Sequence, residues 1–281
     1  MKDHGLIFKA DMVRGKEVDW TKPDWAYLLG VVHGDGHVSK RSISVNFGFA
    51  NRVYFLVIVD IWKKLGFDPK VYYVKNNAFR LDVHNKELRD VFIKYKKDGI
   101  WGWPNHISVR DYLSGLIDTD GYMGLSYSKK HKGISKKIGI EVKRNGNLPY
   151  VADLFRNEGV EVDAKNAMTT YKGEPYETEV IRICSAEKIV KAAKLLRLRN
   201  PRKISKLAEL KIISQEQLNR VSKWKEVGLW MQKEGPKTQR EIEVKFHLTK
   251  RQADALLQQI KKNATVKKLP PITTRYIVSG L

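Results

Sequence analysis

Two stretches of the chain end in the same acidic pair inside the same frame. Trp25-Ala-Tyr-Leu-Leu-Gly-Val-Val-His-Gly-Asp-Gly36 is echoed 85 residues later by Arg110-Asp-Tyr-Leu-Ser-Gly-Leu-Ile-Asp-Thr-Asp-Gly121. The copies share Tyr-Leu-x-Gly, two aliphatic residues and a closing Asp-Gly. A lone Asp-Gly reads as a turn, but a turn does not explain a repeated frame that ends in one. If each copy is helical, Gly30 with Gly34 and Gly115 with Thr119 lie four apart on one face, and two faces of small residues let two helix backbones approach closely. Their packing would set Asp35 beside Asp120 near a pseudo-twofold axis. Converging carboxylates repel unless a cation neutralises them, and hard oxygen ligands favour Mg²⁺ or Ca²⁺ over zinc. On a basic protein such a pair suggests metal-assisted phosphodiester hydrolysis.

The charge balance agrees. Among 281 residues, 53 Lys and Arg stand against 31 Asp and Glu, a net charge of +22. A surplus of this size points to a polyanion, nucleic acid before an anionic membrane. Residues 201–281 carry 18 Lys and Arg against 7 Asp and Glu, so the tail holds half of the surplus. Apolar residues run throughout, which excludes intrinsic disorder. One cysteine, Cys184, excludes an intramolecular disulfide and a multi-thiolate zinc site. No apolar run approaches a membrane span, and the first residues lack a signal-peptide core; the chain is expected to be soluble, intracellular and cytoplasmic, with no membrane partner.

The elements that must position the acids repeat as well. Thr21 to Asp24 and Ser108 to Asp111 resemble capping boxes opening the two motif helices, with Pro23 in a first turn. After the first motif come alternation over Ile43–Phe47, an apolar-periodic run Tyr54–Leu65 closed by Gly66, alternation over Lys70–Val74 and Ala78–Val83, and a helical pattern Lys86–Tyr95. After the second come Ile138–Val142, a helix Tyr150–Glu158 closed by Gly159, strand-like segments near Glu161 and over Thr178–Ile183, and a helix Ala186–Leu196. Each half reads helix, two strands, helix, two strands, helix. Asp98–Asn105 breaks periodicity, and its Trp101 and Trp103 read as hinge packing.

With these residues in place the chain resembles the LAGLIDADG homing endonucleases in their monomeric, two-motif form, on Leu28-Leu-Gly-Val-Val-His-Gly-Asp-Gly36 and Leu113-Ser-Gly-Leu-Ile-Asp-Thr-Asp-Gly121. The resemblance covers roughly residues 20–212. It implies an α+β fold, a pseudo-twofold pair of αββαββα subdomains forming a DNA-binding saddle, and double-strand cleavage of an asymmetric target. It implies Mg²⁺, with Ca²⁺ or Mn²⁺ able to substitute, held by Asp35 and Asp120 with the carbonyls of Gly34 and Thr119. The family's further active-site groups map onto Lys143 and onto Lys203 or Lys206. His33 stands where the family has an acid that copy two keeps as Asp118, and it reads as helix-end packing.

Exposed-face strand residues are candidates for meeting base edges or phosphates: Ser42, Ser44, Asn46, Tyr73, Lys75 and Arg80 in the first half, and Lys137, Glu141, Lys143, Arg144 and Arg182 in the second. In the tail, two short helices joined by a three-residue turn and followed by an extended pair look like a winged helix-turn-helix, with Lys250, Arg251 and Gln252 opening the recognition helix. The expected organisation is an N-terminal extension 1–19, subdomains 20–100 and 108–212 joined by a linker 101–107, and a mostly helical winged-helix-like domain 213–281. The leading function is a site-specific, monomeric endonuclease of a mobile element or phage acting on double-stranded DNA. The alternatives are a LAGLIDADG-derived transcription regulator without cleavage and an intron RNA maturase.

Overall fold

The computed structural model describes residues 11–74, 78–97, 100–128, 133–143, 148–171, 173–263, 265–268 and 275–279. The chain divides into two compact units, Met1–Lys211 and Ile212–Leu281.

A short hairpin of β1 (Met12–Val13) and β2 (Lys16–Glu17) opens the first unit. Its first half continues with α1 (Pro23–Gly34), β3 (Gly36–Val38), β4 (Ile43–Gly48), α2 (Arg52–Lys64), β5 (Lys70–Val74), β6 (Ala78–Val83) and α3 (Lys86–Lys94). A second antiparallel pair, β7 (Lys96–Lys97) with β8 (Ile100–Trp101), lies at the end of the expected first subdomain and reaches the first residue of the expected linker. The second half repeats the order: α4 (Val109–Thr119), β9 (Gly121–Ser128), β10 (Gly133–Lys143), α5 (Leu148–Asn157), β11 (Asp163–Tyr171), β12 (Glu174–Ile183) and α6 (Ala186–Leu195). Both halves are αββαββα. Their antiparallel sheets have equivalent orders, β3-β4-β6-β5 and β9-β10-β12-β11.

Strand alternation decides which face is covered. Ile43, Val45 and Phe47 of β4 are buried with Tyr54, Phe55, Ile58 and Trp62 of α2, as Ile138 and Ile140 of β10 are with Val151 and Phe155 of α5. Gly66 and Gly159 end α2 and α5 with φ of +84° and +77°, the left-handed stops expected there. The strand near Glu161 begins at Asp163 and runs to Tyr171, longer than its weak alternation suggested.

The expected capping boxes do not form. Lys22 is the N-cap of α1, and the Thr21 hydroxyl donates to Asp19 at 2.5 Å. Ser108 caps α4 by position, but its hydroxyl donates to the Asp111 carboxylate at 2.6 Å rather than accepting a backbone N–H. Burial holds these helices instead, since every residue from 26 to 33 and from 111 to 118 is buried.

The closest contact in the fold is between α1 and α4. A Cβ added at Gly30 would lie 2.1 Å from the Tyr112 carbonyl oxygen, and one at Gly115 would lie 2.1 Å from that of Tyr27. These are reciprocal contacts between equivalent residues, the signature of a pseudo-twofold axis. Gly36 and Gly121 serve the same geometry: each chain turns so sharply into its strand that a Cβ would come within 2.5 Å of Val32 or Ile117 backbone.

The division between units falls inside α7 (Pro201–Glu234). The second unit continues with β13 (Lys237–Thr238), α8 (Gln239–Lys245), α9 (Lys250–Asn263), β14 (Thr265–Lys268) and β15 (Arg275–Ser279), in a sheet of order β13-β15-β14. Thr238 and Glu241 form a capping box on α8, and His247, at φ +51°, turns the chain into α9. Trp224, Val227, Met231, Ile242, Ala253, Leu257 and Ile260 make its core. Two helices joined through residues 246–249, one residue more than the expected turn, and closed by an antiparallel pair form a winged-helix-like unit. Among the described residues no helix is long and apolar enough to cross a membrane.

Overpacking a backbone-to-backbone contact leaves no side chain free to yield. Gly30→Ala and Gly115→Ala are each expected to destabilise the chain by about 3 kcal/mol, measured by urea denaturation. Gly48→Ala, whose Cβ meets nothing within 4 Å, should change stability by no more than about 0.5 kcal/mol.

Candidate active site

Asp35 and Asp120 are the C-cap residues of α1 and α4, so the helix pair delivers both carboxylates to one seam. The two carboxyls lie close enough to perturb one another, the contact raising Asp120 and lowering Asp35. Asp120 is pushed up to about 6, first by burial and then by the charge of Asp35. Burial also raises Asp35, opposed by the Lys203 charge. Asp35 remains exposed to solvent at the seam. A helix C-terminus is an unfavourable place for a carboxylate, because the last carbonyls carry partial negative charge.

Two lysines answer that charge in matching positions. Lys203, in the first turn of α7, donates its Nζ to the carbonyls of Ile117 at 2.6 Å and Thr119 at 2.9 Å. Lys96, which opens β7, donates to the carbonyls of Val32 and Gly36, each at 2.6 Å. Each lysine thereby caps the end of one motif helix. Burial lowers the pKa of both; Asp120 and Asp35 oppose that shift at Lys96, and Asp118 ahead of Asp35 and Asp120 opposes it at Lys203.

The residues two before the acids are structural, as expected of His33. His33 is buried, with Nε2 facing the Tyr95 carbonyl at 2.7 Å and Nδ1 facing the Tyr112 hydroxyl at 3.1 Å. Burial first, then the Lys96 charge, lowers its pKa to about 3, so the ring is neutral. Asp118 accepts from the Tyr27 hydroxyl and the Arg199 N–H, both at 2.6 Å, and burial raises its carboxyl.

The donor chemistry suits a hard divalent cation. Two apposed carboxylates, one raised by the charge of the other, are the ligand type Mg²⁺, Ca²⁺ and Mn²⁺ take. Both ring nitrogens of His33 are engaged, and among the described residues no third Asp, Glu, His or Cys joins a cluster. The remaining coordination would come from carbonyls, water and a phosphate. Of the two expected carbonyls, that of Thr119 already accepts from Lys203 and keeps one lone pair.

Several expected positions fall elsewhere. Lys206 pairs with Glu209 at 2.7 Å along α7, away from the acids it was expected to serve. The backbone of Lys143 closes the β10 ladder opposite Thr178, and its side chain lies outside what is described; Lys75 and Arg144 lie outside the described residues altogether. Ser42 and Ser44 are buried, Ser44 beneath Arg80, whose Nη2 donates to its hydroxyl at 3.1 Å and whose Nε donates to Asp82 at 2.7 Å, and Ser42 with its hydroxyl on that of Ser44 at 3.3 Å. Tyr73 pairs with Phe79 on the helix-facing side, its ring 5.7 Å away, so the open-face tyrosine of β5 is Tyr72, opposite Arg80. Asn46 is exposed on that open face. In the second half Lys137, Glu141 and Arg182 share one face, where the Lys137 ammonium sits 5.3 Å from the centre of the Tyr122 ring and Arg182 donates to the Tyr122 hydroxyl at 3.3 Å. Lys250 and Arg251 are exposed in the first turn of α9. Gln252 is not free to read a base with its carbonyl, which accepts the Thr249 N–H and hydroxyl at 2.9 and 3.0 Å in a capping box.

Lys96, Tyr72 and Tyr122 went unnoticed in the sequence. The cluster Lys94-Tyr-Lys-Lys97 after the last helix of the first half was the signal for Lys96, since Pro201–Lys206 plays the same part after the second. Alternation continued from Gly121 would have found Tyr122.

No family model matches the chain. An uncharacterized protein of Methanocaldococcus jannaschii is 22% identical over 180 residues, 57% of this chain. The chain spans 62% of the length of that curated relative. Solved structures similar to it include the LAGLIDADG homing endonuclease I-GzeII in complex with its DNA target, at 10% identity and TM-score 0.49, covering 86% of this chain and 98% of that one. Another is I-DmoI in complex with DNA and Ca, at 18% identity and TM-score 0.46, covering 66% and 97%. A third is full-length DUF199/WhiA from Thermatoga maritima, at 16% identity and TM-score 0.46, covering 87% and 93%.

The raised Asp120 pKa has a signed consequence for stability. A carboxyl at 3.8 when unfolded and about 6 when folded favours the native state at acid pH and loses that contribution as pH rises through 6. Asp120→Asn should therefore be more stable than wild type by about 1–3 kcal/mol at pH 7.5 in chelator, and the gain should shrink towards pH 4.5. Thermal unfolding across that range checks it, and a variant less stable at pH 7.5 would contradict it.

Proposed function

We propose that this chain is a site-specific endodeoxyribonuclease that cuts both strands of an asymmetric DNA target. The observation that carries the reading is the apposition of Asp35 and Asp120, whose carboxyls perturb one another, flanked by Lys96 and Lys203, on a chain of net charge +22. A protein that merely binds a polyanion gains nothing from two carboxylates facing it, since they repel the ligand and strain the native state.

Asp35 and Asp120 would hold the divalent cation, Mg²⁺ with Ca²⁺ or Mn²⁺ as substitutes, together with the Gly34 and Thr119 carbonyls. When bound, that cation lowers the pKa of a water and stabilises charge on the attacked and departing oxygens. The protein's own share is positioning. The paired helix ends fix the carboxylates, and the two capping lysines place positive charge beside the phosphates to be cut. Lys143, at the end of β10, is a candidate for ordering water there.

Target reading falls to the open sheet faces. Asn46, Tyr72 and Arg80 in the first half and Tyr122, Lys137, Glu141 and Arg182 in the second are unlike sets of side chains, which supports an asymmetric site. Lys250 and Arg251 of the winged-helix-like unit would add phosphate contacts.

Incubation of the chain with a randomised DNA library and Mg²⁺, followed by sequencing of the ends, tests the reading. Wild type should yield a defined cut site. Asp35→Asn and Asp120→Asn should each lose cleavage by about three orders of magnitude or more while binding the selected DNA at least as tightly. A wild-type chain that binds DNA sequence-specifically but never cuts it would replace the nuclease with a regulator.

A further inference from the structure

The motif carries a second repeated interaction that the acids do not use. Tyr27 and Tyr112 are equivalent residues of the two copies, as are His33 and Asp118. Across the helix pair they bond reciprocally: the Tyr27 hydroxyl of α1 donates to Asp118 of α4 at 2.6 Å, and the Tyr112 hydroxyl of α4 faces His33 Nδ1 of α1 at 3.1 Å. The chemistry differs between the halves while the geometry is conserved.

Beyond the tyrosine, each of these residues grips the chain segment that carries one capping lysine. His33 Nε2, facing a carbonyl, must carry the hydrogen, and it donates at 2.7 Å to the carbonyl of Tyr95, the residue before Lys96. Asp118 Oδ2 accepts the backbone N–H groups of Arg199 at 2.6 Å and Asn200 at 3.1 Å. Asn200 in turn starts α7, accepting the Ile204 N–H on its carbonyl and the Arg202 N–H on its side chain, and so sets the turn from which Lys203 reaches back. All four side chains are buried, so these bonds are not exchanged for water at no cost.

We propose that His33 and Asp118 are positioning residues, each dedicated to one lysine and through it to one of the two strands cut: His33 sets Lys96, and Asp118 sets Lys203. This rests on the nuclease reading for its strand specificity, but the link from each residue to its lysine stands on the geometry alone. Neither residue touches DNA or reacting atoms. Because the two grips differ in kind, a neutral imidazole on a single carbonyl against a carboxylate on two N–H groups, damage to one should leave the other half intact.

Two measurements on the full-length chain test this. The first records the ¹⁵N-lysine ammonium spectrum of the protein without metal or DNA, the Lys96 and Lys203 signals being assigned with Lys96→Arg and Lys203→Arg. Both signals should show slowed exchange with water. His33→Ala should release the Lys96 signal alone and Asp118→Ala the Lys203 signal alone, and His33→Gln, which keeps a donor for the Tyr95 carbonyl, should restore protection. The second follows nicking with each strand of the selected target labelled separately. Each alanine variant should slow one strand by about tenfold or more, on opposite strands, and leave the other within about twofold. If the alanine variants fold poorly, Tyr112→Phe and Tyr27→Phe, which remove one hydroxyl each, should shift the same lysine in the same direction. Equal loss on both strands, or release of both lysine signals by either variant, marks a general structural role and overturns the proposal, as does no change at all. A wild-type chain that cuts neither strand sinks the nuclease reading and the strand assignment with it, and the ammonium spectra then uphold or overturn the residue-to-lysine link independently.

Discussion

Everything at the seam depends on how closely α1 and α4 approach. Gly30 over the Tyr112 carbonyl and Gly115 over that of Tyr27 allow backbone-to-backbone contact, and the separation of the two helix ends follows from it. Larger residues there would spread the ends and pull Asp35 away from Asp120. The same reciprocal contact makes the two halves of the first unit one body, because the residues that join the helices are also the most buried in the fold.

That arrangement stores electrostatic tension. Two carboxylates sit at the negative ends of two helices, and desolvation raises both. Lys96 and Lys203 relieve part of it by capping the exposed carbonyls, yet they are themselves partly desolvated and held below their ordinary pKa. A site optimised for stability would carry asparagine at either position. The retention of both acids, with the neutral His33 and the anchored Asp118 behind them, is understandable as preparation for a cation and a phosphate.

The repeat made most of this legible. Register between the copies located Asp35 and Asp120, the spacing of Gly30, Gly34, Gly115 and Thr119 implied the helix pair, and alternation with terminal glycines outlined both sheets. Side-chain direction at strand ends was not legible. Tyr73 and Tyr72 differ by one residue and hence by one face, and Lys70–Val74 is too evenly amphipathic to say which. Nor could local sequence reveal that Arg80 reaches across to Ser44, or that Lys96 reaches 60 residues back to Gly36. The capping boxes at Thr21 and Ser108 misled because a motif that stabilises exposed helix ends says little about helices held by burial on every side.

The account turns on whether the paired helix ends make a cation site. Crystals of the chain soaked in Mn²⁺ and recorded at the manganese absorption edge would decide it. An anomalous peak coordinated by both Asp35 and Asp120, and absent in Asp120→Asn, is the predicted result. Manganese bound elsewhere, with neither Asp35 nor Asp120 among its ligands, would contradict the account.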